Sequence, residues 1–305
     1  MKGLTTLYDL QPILSFMLNR ALSVRREVTA AEAYVDLLCM TDTPGSGESR
    51  DMPWVDPIPD LRKWVGPREK HELGVNSYTV TPDPYELSFL LKKEWMRWDK
   101  VGLLQPQINQ AATRVQKHKR TILKDQITNA LTYLGYDGKP LLATDHPIGA
   151  STGSNLDNSG ADYPWILADC SWDIRPFCYF VESGPDWGNM NTDASEALYN
   201  RRELEWGVEI WEGACPCIWQ MIYATDIDLT TDNIAAKTAI MMNRRNEQEF
   251  EYNFYPTHLF YDPLDWKAVK AALIGERDAS GATNVVAGAL TPVPIPNLNA
   301  ILTLG

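Results

Sequence analysis

Histidine and cysteine, the residues that build most metal sites and disulfide frameworks, are scarce in this sequence. The 305 residues include four histidines and five cysteines. Such a small, odd number of cysteines does not build a disulfide framework, so we expect free thiols in a reducing compartment. Cys215 and Cys217 are one residue apart rather than the two of redox and zinc motifs, and we interpret them as buried strand residues. The five expected free thiols are Cys39, Cys170, Cys178, Cys215 and Cys217.

Long apolar runs are also missing. The most apolar stretch, residues 210–224, is interrupted by Glu212 and Gln220, whereas a membrane-spanning helix needs about 20 predominantly apolar residues. The N-terminus has no apolar block followed by a small-residue cleavage site. We therefore expect neither a membrane segment nor a secretion signal.

The common catalytic motifs do not occur. There is no lysine-containing phosphate loop, zinc-protease helix motif, nucleophile elbow or dinucleotide fingerprint. Asp145 and His146 could form a triad with a remote serine, but we favour a histidine that stabilises the turn after Asp137-Gly138. We expect no cofactor and no metal. A hydrolase rich in tryptophan, of which there are eleven, is the enzyme alternative.

What the sequence does have is a strongly uneven charge. The net charge is -12, yet nine basic and only two acidic residues lie between Lys92 and Lys124. The rest of the chain is strongly acidic, which argues against DNA binding by neutralisation of phosphates. A basic strip on an acidic body suits self-association, and a solvated helix face is the alternative. The candidate interface residues of this strip are Arg114, Lys117, Lys119 and Arg120.

Residues 106–134 form the clearest helical pattern. Apolar residues recur three, four and seven positions apart, Pro106 stands at the start and Gly135 follows the end. A continuous helix of this length would span about 43 Å. We expect Val115, Ile122 and Ile127 to face a sheet and the four basic candidates to lie outward.

Residues 52–85 combine six prolines with large apolar side chains. Proline at this density excludes a central strand, so we predict an extended hairpin without a core of its own. Such side chains are suited to contact another subunit. The candidate contact residues are Trp54, Val55, Ile58, Leu61, Trp64 and Val65.

The second half reads as strands followed by a mixed unit. Alternating and apolar patterns predict antiparallel strands at 165–170, 177–181, 207–211 and 217–223. A helix capped by Thr230 or Thr231, a strand at 257–261, a helix from Pro263 and a short strand at 284–286 follow. Together with the long helix and the hairpin that has no core of its own, this pattern indicates a subunit whose exposed apolar side chains are buried by neighbouring subunits.

Several short motifs occur in a fixed order over residues 10–290. The first is Leu61–Arg68, which reads LRKWVGPR. After it come Tyr136-Asp137-Gly138, Asp145-His146-Pro147, Leu167–Ser171, Arg175-Pro176-Phe177, Trp219-Gln220, Asp228–Thr230, Pro256–Leu259 and Gly288-Ala289-Leu290. In this order they resemble the Mu-like major head subunit family of tailed bacteriophages. Residues 85–102, which are basic here, differ from the acidic stretch of that family.

The resemblance implies an α+β fold, the tailed-phage major capsid fold (Hong Kong 97-type). It implies an N-terminal arm at 1–45 and an extended loop at 46–92. A peripheral domain at 93–223, with a spine helix at 106–134 and antiparallel strands, and an axial domain at 224–305 would follow.

The function implied is that of a major capsid protein. Hexamers and pentamers would form an icosahedral shell around double-stranded DNA, without sequence-specific DNA binding and without a membrane. Portal, scaffold and decoration proteins are the implied partners, with assembly in the host bacterial cytoplasm and a final location in the virion. A tail or baseplate component is the alternative within phage structural proteins.

Overall fold

The structure is a computed structural model. It describes residues 32–42, 79–92, 101–189, 202–245, 253–277 and 281–304, and the single residues 16, 20, 50, 51, 63, 94 and 200. Its elements in chain order are α1 (Ala33–Leu38), β1 (Cys39–Thr41), β2 (Arg50–Asp51), β3 (Thr79–Val80), β4 (Asp83–Lys92), α2 (Val101–Gln116), α3 (His118–Thr128), β5 (His146–Ile148), β6 (Ser151–Gly153), β7 (Leu156–Asp157), β8 (Trp165–Ala168), β9 (Phe177–Asn189), β10 (Glu203–Pro216), β11 (Ile222–Thr225), α4 (Thr231–Met242), β12 (His258–Tyr261), α5 (Trp266–Leu273), β13 (Thr291–Pro294) and α6 (Leu298–Ile301).

A four-stranded sheet carries the long strands of the molecule, in the order β1-β9-β10-β4. β10 is antiparallel to both β4 and β9, whereas β1 runs parallel to β9. Alternate β10 residues from Leu204 to Ile210 are buried, and the residues between them are half-buried or exposed. This period of two is that of a sheet with one covered face. The strands predicted at 177–181 and 207–211 are therefore confirmed and longer than expected.

A five-stranded sheet, in the order β13-β12-β8-β11-β7, is covered on both faces. Ile166 and Ala168 of β8 join a core with α1 and α3, while Trp165 and Leu167 join a second core with α4 and α5. The continuous apolar run of β8 follows from this double burial. The structure thus has helices on both sides of this sheet.

β11 crosses the predicted boundary at 223/224, and β8 pairs with β11 on one side and with β12 on the other. In the predicted arm, Tyr34 and Leu38 of α1 are fully buried in the main core. The domain boundaries at 45/46, 92/93 and 223/224 stay predictions.

The predicted single helix at 106–134 is corrected. It consists of α2 and α3, separated at Lys117, and α3 ends at Thr128. The apolar pattern has no large apolar residue between Val115 and Ile122, and just past the break His118 turns toward a buried carboxylate. At the end of α3, the backbone and side-chain N–H groups of Asn129 both donate to the carbonyl of Asp125. Ile122 and Ile127 are buried as expected.

Two predicted strands are wrong in detail. Residues 219–221 form a 3-10 turn before β11, and Arg244 donates to the carbonyls of Gln220 and Ile222, both at 2.8 Å. Residues 284–286 do not form a strand; the Asn284 side chain donates to the carbonyl of Ala272 in the last turn of α5 and to that of Gly275 just beyond it. The last strand is instead β13. No helix among the described residues is long and apolar enough to cross a membrane.

Candidate functional site

The predicted interface residues fall into two groups. The six apolar candidates, Trp54, Val55, Ile58, Leu61, Trp64 and Val65, lie outside the described residues. The four basic candidates lie on α2 and α3 and at the break between them. Three of the four contact the segment 32–42 of their own chain.

Glu32, which immediately precedes α1, receives two of these cations. Lys117 Nζ lies 2.7 Å from its Oε2, and Arg120 Nη1 lies 2.9 Å from its Oε1. Glu32 is only 8% exposed, so its charge is balanced within the subunit. A carboxylate paired with two donors at this depth stabilises the docking of α1 on the helix pair.

Lys119 makes three contacts with segment 32–42. Its ammonium group donates to the Cys39 carbonyl at 3.0 Å and to Thr41 Oγ1 at 2.9 Å, and it pairs with Asp36 at 3.2 Å. Its side chain is 16% exposed. The expectation that Lys119 lies outward is therefore wrong, because α1 and β1 cover the place where it points.

Arg114 is the exception. It is exposed, and within the described part of the chain no carboxylate pairs with it. Its side chain lines a groove of about 210 Å³ between α2 and β4, together with Leu87, Phe89 and Ile108. Arg114 is thus the basic candidate with a charge still available to another chain.

Beneath this strip lies a buried acidic residue that the sequence interpretation treated only as a break in an apolar run. Glu212 of β10 is fully buried and hydrogen-bonded to His118 Nδ1 and to the Tyr179 hydroxyl. Burial, and then the hydrogen bond and charge of Glu212, raise the pKa of Tyr179. The Tyr85 ring contacts His118 edge-on at 4.6 Å between ring centres. The only hint of this contact in the sequence is the charged Glu212 within an otherwise apolar strand. It joins α3 to the sheet through hydrogen bonds.

The Asp145-His146 pair does not form a triad. His146 is fully buried and its Nδ1 lies 2.6 Å from Oδ2 of Asp137, not against Asp145. Its ring stacks on Trp219 at 4.1 Å and its Nε2 lies 3.2 Å from Oδ1 of Asn155. The favoured interpretation, a histidine that stabilises the turn at 137–138, is confirmed.

The cysteines are buried free thiols. Burial raises the pKa of Cys39 and of Cys170 to about 12, which suppresses the reactive thiolate. Among the described residues, no three or more histidine, cysteine or acidic side chains are placed to hold a metal ion.

Large apolar side chains remain exposed on the unit built around the five-stranded sheet. Leu264, Trp266, Ile274 and Val285 are 66%, 54%, 58% and 85% exposed. Large apolar side chains at this exposure are candidates for contact with another chain. Among the described residues, Lys117, Lys119 and Arg120 bind their own chain. Arg114 and the exposed apolar side chains remain accessible to another chain.

The match to a known family settles the class of the protein. Residues 18–298 match the model of the family described as Mu-like prophage major head subunit gpT. The chain belongs to this family of head subunits. The motif resemblance found in the sequence is confirmed, and a structural rather than an enzyme family is indicated.

Two curated relatives resemble this head subunit at low identity. The Mu-like prophage FluMu major head subunit of Haemophilus influenzae is 23% identical over 221 residues, which cover 69% of this chain and 72% of the relative. The major capsid protein of Escherichia phage Mu is 22% identical over 250 residues, covering 79% and 82%.

Solved structures establish the fold. A chain from the procapsid of bacteriophage JBD30 superposes with a TM-score of 0.79 at 20% identity, covering 96% of this head subunit and 99% of that chain. A chain from the JBD30 capsid gives a TM-score of 0.76 at 15% identity, covering 92% and 98%. The head subunit has the α+β tailed-phage major capsid fold expected from the sequence.

Proposed function

We propose that this head subunit assembles through hexamers and pentamers into an icosahedral shell that encloses the double-stranded DNA of a tailed phage. The observation that carries the proposal is the family match over residues 18–298. The named relatives are a major head subunit and a major capsid protein. The shell would form in the host bacterial cytoplasm and become part of the virion.

The role proposed is association rather than catalysis. Trp165 and Trp219 are 0% and 1% exposed in the core, so they are not available to a sugar-stacking surface of the kind a Trp-rich hydrolase would need. His146, the strongest catalytic candidate of the sequence, is inaccessible and bonded to Asp137 and Asn155.

Two sets of residues are proposed to contact neighbouring subunits. The apolar candidates at 54–65 would be anchors that become buried on assembly. Arg114, exposed beside the groove between α2 and β4, would add a charge contact that sets register. Lys117, Lys119 and Arg120 would act indirectly, by holding segment 32–42 in place for the neighbour.

Further partners are proposed from the family and its relatives. A solved capsid of bacteriophage JBD30 is decorated with minor capsid protein trimers, which supports a decoration partner for this chain. Portal and scaffold proteins are proposed from family membership. The net charge of -12 supports a shell whose inner surface encloses DNA without binding it tightly.

Electron microscopy of the purified, overexpressed chain tests the proposal. We expect closed, roughly spherical particles. Tubes or rings would instead support a tail or baseplate component, and a small discrete oligomer with no larger species would support a soluble enzyme. Either result would overturn the proposed shell.

A further inference from the structure

A cavity of about 370 Å³ lies between α3 and the side of the four-stranded sheet that faces this helix. Asp83 and Tyr85 of β4 line it on the sheet side, and Asp125 and Gln126 of α3 line it on the helix side. Tyr133, in the turn after α3, completes the wall. The volume lies in the range of about 300 to 1,000 Å³ that is usual for small-molecule sites.

The first residues of β4 and the second half of α3 face the same space. Asp83 and Tyr85 are two residues apart on β4, so they point to one face of the sheet. Their register partners on β10, Glu212 and Ile210, are both buried. The Tyr85 ring also contacts His118 of α3 at 4.6 Å between ring centres. The start of β4 therefore directs its side chains toward α3.

The wall of this cavity is negatively charged. Asp83 and Asp125 are exposed, and no lysine or arginine among the described residues pairs with either. Asp125 accepts hydrogen bonds from Asn129 Nδ2 at 3.1 Å and from the Tyr133 hydroxyl at 3.3 Å. Burial, and then the charges of Asp83 and Asp125, raise the pKa of Tyr85. Desolvation, and then the charge of Asp125, raise the pKa of Tyr133.

The lysines and arginine of α3 do not neutralise this wall. Lys119 and Arg120 contact segment 32–42 on another side of the helix. Lys124 Nζ donates to the carbonyl of Pro296 at 2.9 Å. The negative charge of the cavity is therefore left unbalanced within the part of the chain that the structure describes.

Gln126 gives an independent indication of a ligand. It is only 8% exposed and lines the cavity, yet its side-chain amide makes no hydrogen bond to any described residue. A buried polar group without a partner is costly, and in native proteins such groups bond to protein, water or a ligand. The Gln126 amide is thus a third polar group, beside the two carboxylates, that a bound molecule could use.

The lining residues suit an organic ammonium group better than a metal ion. Among the described residues, no three or more histidine, cysteine or acidic side chains are placed to hold a metal, whereas Ca²⁺ and Mg²⁺ take about six or more oxygen ligands. Ammonium N–H groups donate strong hydrogen bonds to carboxylates. Tyrosine rings attract the positive charge through their faces. Because one carboxylate lies on the sheet wall and one on the helix wall, two ammonium groups can be paired.

We propose that this cavity binds an aliphatic diamine in its doubly protonated form. One ammonium group would donate to Asp83, and the other would donate to Asp125 and Gln126. The methylene chain between them would lie along the rings of Tyr85 and Tyr133. The bound diamine would join the start of β4 to the end of α3 within one subunit. The proposal does not depend on the shell, because every contact it uses lies in a single chain.

Calorimetric titration of the full chain with 1,4-diaminobutane tests the proposal. We expect saturable binding of one molecule per chain. Asp83→Asn and Asp125→Asn should each weaken binding at least about tenfold, because each removes a charged acceptor. Glu276→Gln is the matched control at an exposed acidic residue beyond α5, and it should bind the diamine as wild type does. The monoamine 1-aminobutane should bind about tenfold more weakly than the diamine.

Gln126→Met separates binding from folding. Methionine has a similar size but needs no hydrogen-bond partner, so the urea midpoint of the chain without diamine should stay the same or rise. Binding of the diamine should weaken about tenfold. In the same assay, diamine should raise the urea midpoint of wild type but not that of Asp83→Asn. A Gln126→Met chain that is less stable, or that binds as tightly as wild type, would contradict the role of the amide.

Three further results would overturn the diamine site. The first is no saturable binding to wild type, or equal binding by Asp83→Asn and Glu276→Gln. The second is displacement of the diamine by MgCl₂ more strongly than by NaCl of the same ionic strength, which would assign the cavity to a divalent metal ion. The third is binding to unassembled subunits but not to assembled particles, which would mean that a neighbouring copy fills the cavity.

Discussion

The side chains of His146 and Asn155 fix each other in the core. Asn155 Oδ1 accepts from the Ala143 N–H at 2.9 Å, and its Nδ2 donates to the carbonyls of Leu141 and Trp219 at 2.6 and 3.2 Å. These three backbone groups set the orientation of the amide. Oδ1 therefore faces Nε2 of His146 at 3.2 Å.

Removing this histidine should be costly. We expect His146→Ala to lower the free energy of unfolding by about 3 kcal/mol, because it removes the partner of the buried Asp137 Oδ2 and leaves a cavity beside the Trp219 ring. Urea unfolding measures the change. Asp145→Ala is the control, since Asp145 is 56% exposed and its ion pair with Lys139 is at the surface; it should change stability far less than His146→Ala does. Equal effects of the two substitutions would contradict the structural role of His146.

Lys119 and Arg114 should separate folding from assembly. We expect Lys119→Ala to cost about 2 kcal/mol of stability, because it removes three contacts with segment 32–42. Arg114→Ala should change stability by no more than about 0.5 kcal/mol and should lower particle yield in a salt-dependent way. Unfolding curves and particle yields of both variants check this. A destabilising Arg114→Ala or a neutral Lys119→Ala would reverse the assignment.

The core of α3 gives a third test. Ile122 is 5% exposed in the main cluster, so Ile122→Ala should lower the free energy of unfolding by about 2 to 5 kcal/mol. Ile240→Ala, on the exposed side of α4 at 44% exposure, should cost less than about 1 kcal/mol. Denaturant titrations of the two variants measure both free energies of unfolding. Similar losses in the two variants would mean that Ile122 is not a core residue.

The sequence predicted the locally encoded parts of this fold well. The strand predicted at 165–170 and found at 165–168, the cap of α4 by Thr230 and the turn at 137–138 depend on neighbouring residues. Family motifs supplied the fold class. The remaining features depend on contacts between distant residues, which a local pattern does not contain.

Two contacts illustrate this limit. Lys119 bonds Cys39 and Thr41 about 80 positions earlier, and Glu212 bonds His118 94 positions earlier. Counting charges along the sequence identifies the basic strip but not the carboxylates and carbonyls that its side chains bind. The sequence therefore predicts that Lys119 faces solvent, although it binds its own chain. The apolar candidates at 54–65 remain predictions.

His258 should make stability depend on pH. Its burial, and then the charge of Arg175, lower its pKa below the ordinary value of 6.5. The unfolded chain therefore binds more protons near that pH, and stability should fall as pH drops from about 6.5 through the lower folded value. Urea unfolding between pH 7 and pH 5 measures the slope. His258→Gln should flatten it, and an unchanged slope would assign the pH dependence to other groups.

Residues 54–65 are proposed to contact neighbouring subunits rather than to form part of the core of their own. Sedimentation velocity of wild type and of a variant with 54–65 replaced by a short Gly/Ser linker distinguishes the two roles. We expect fast-sedimenting particles for wild type and a folded, subunit-sized species with near-normal helix content for the variant. A variant that unfolds, or one that sediments as wild-type particles, would contradict it.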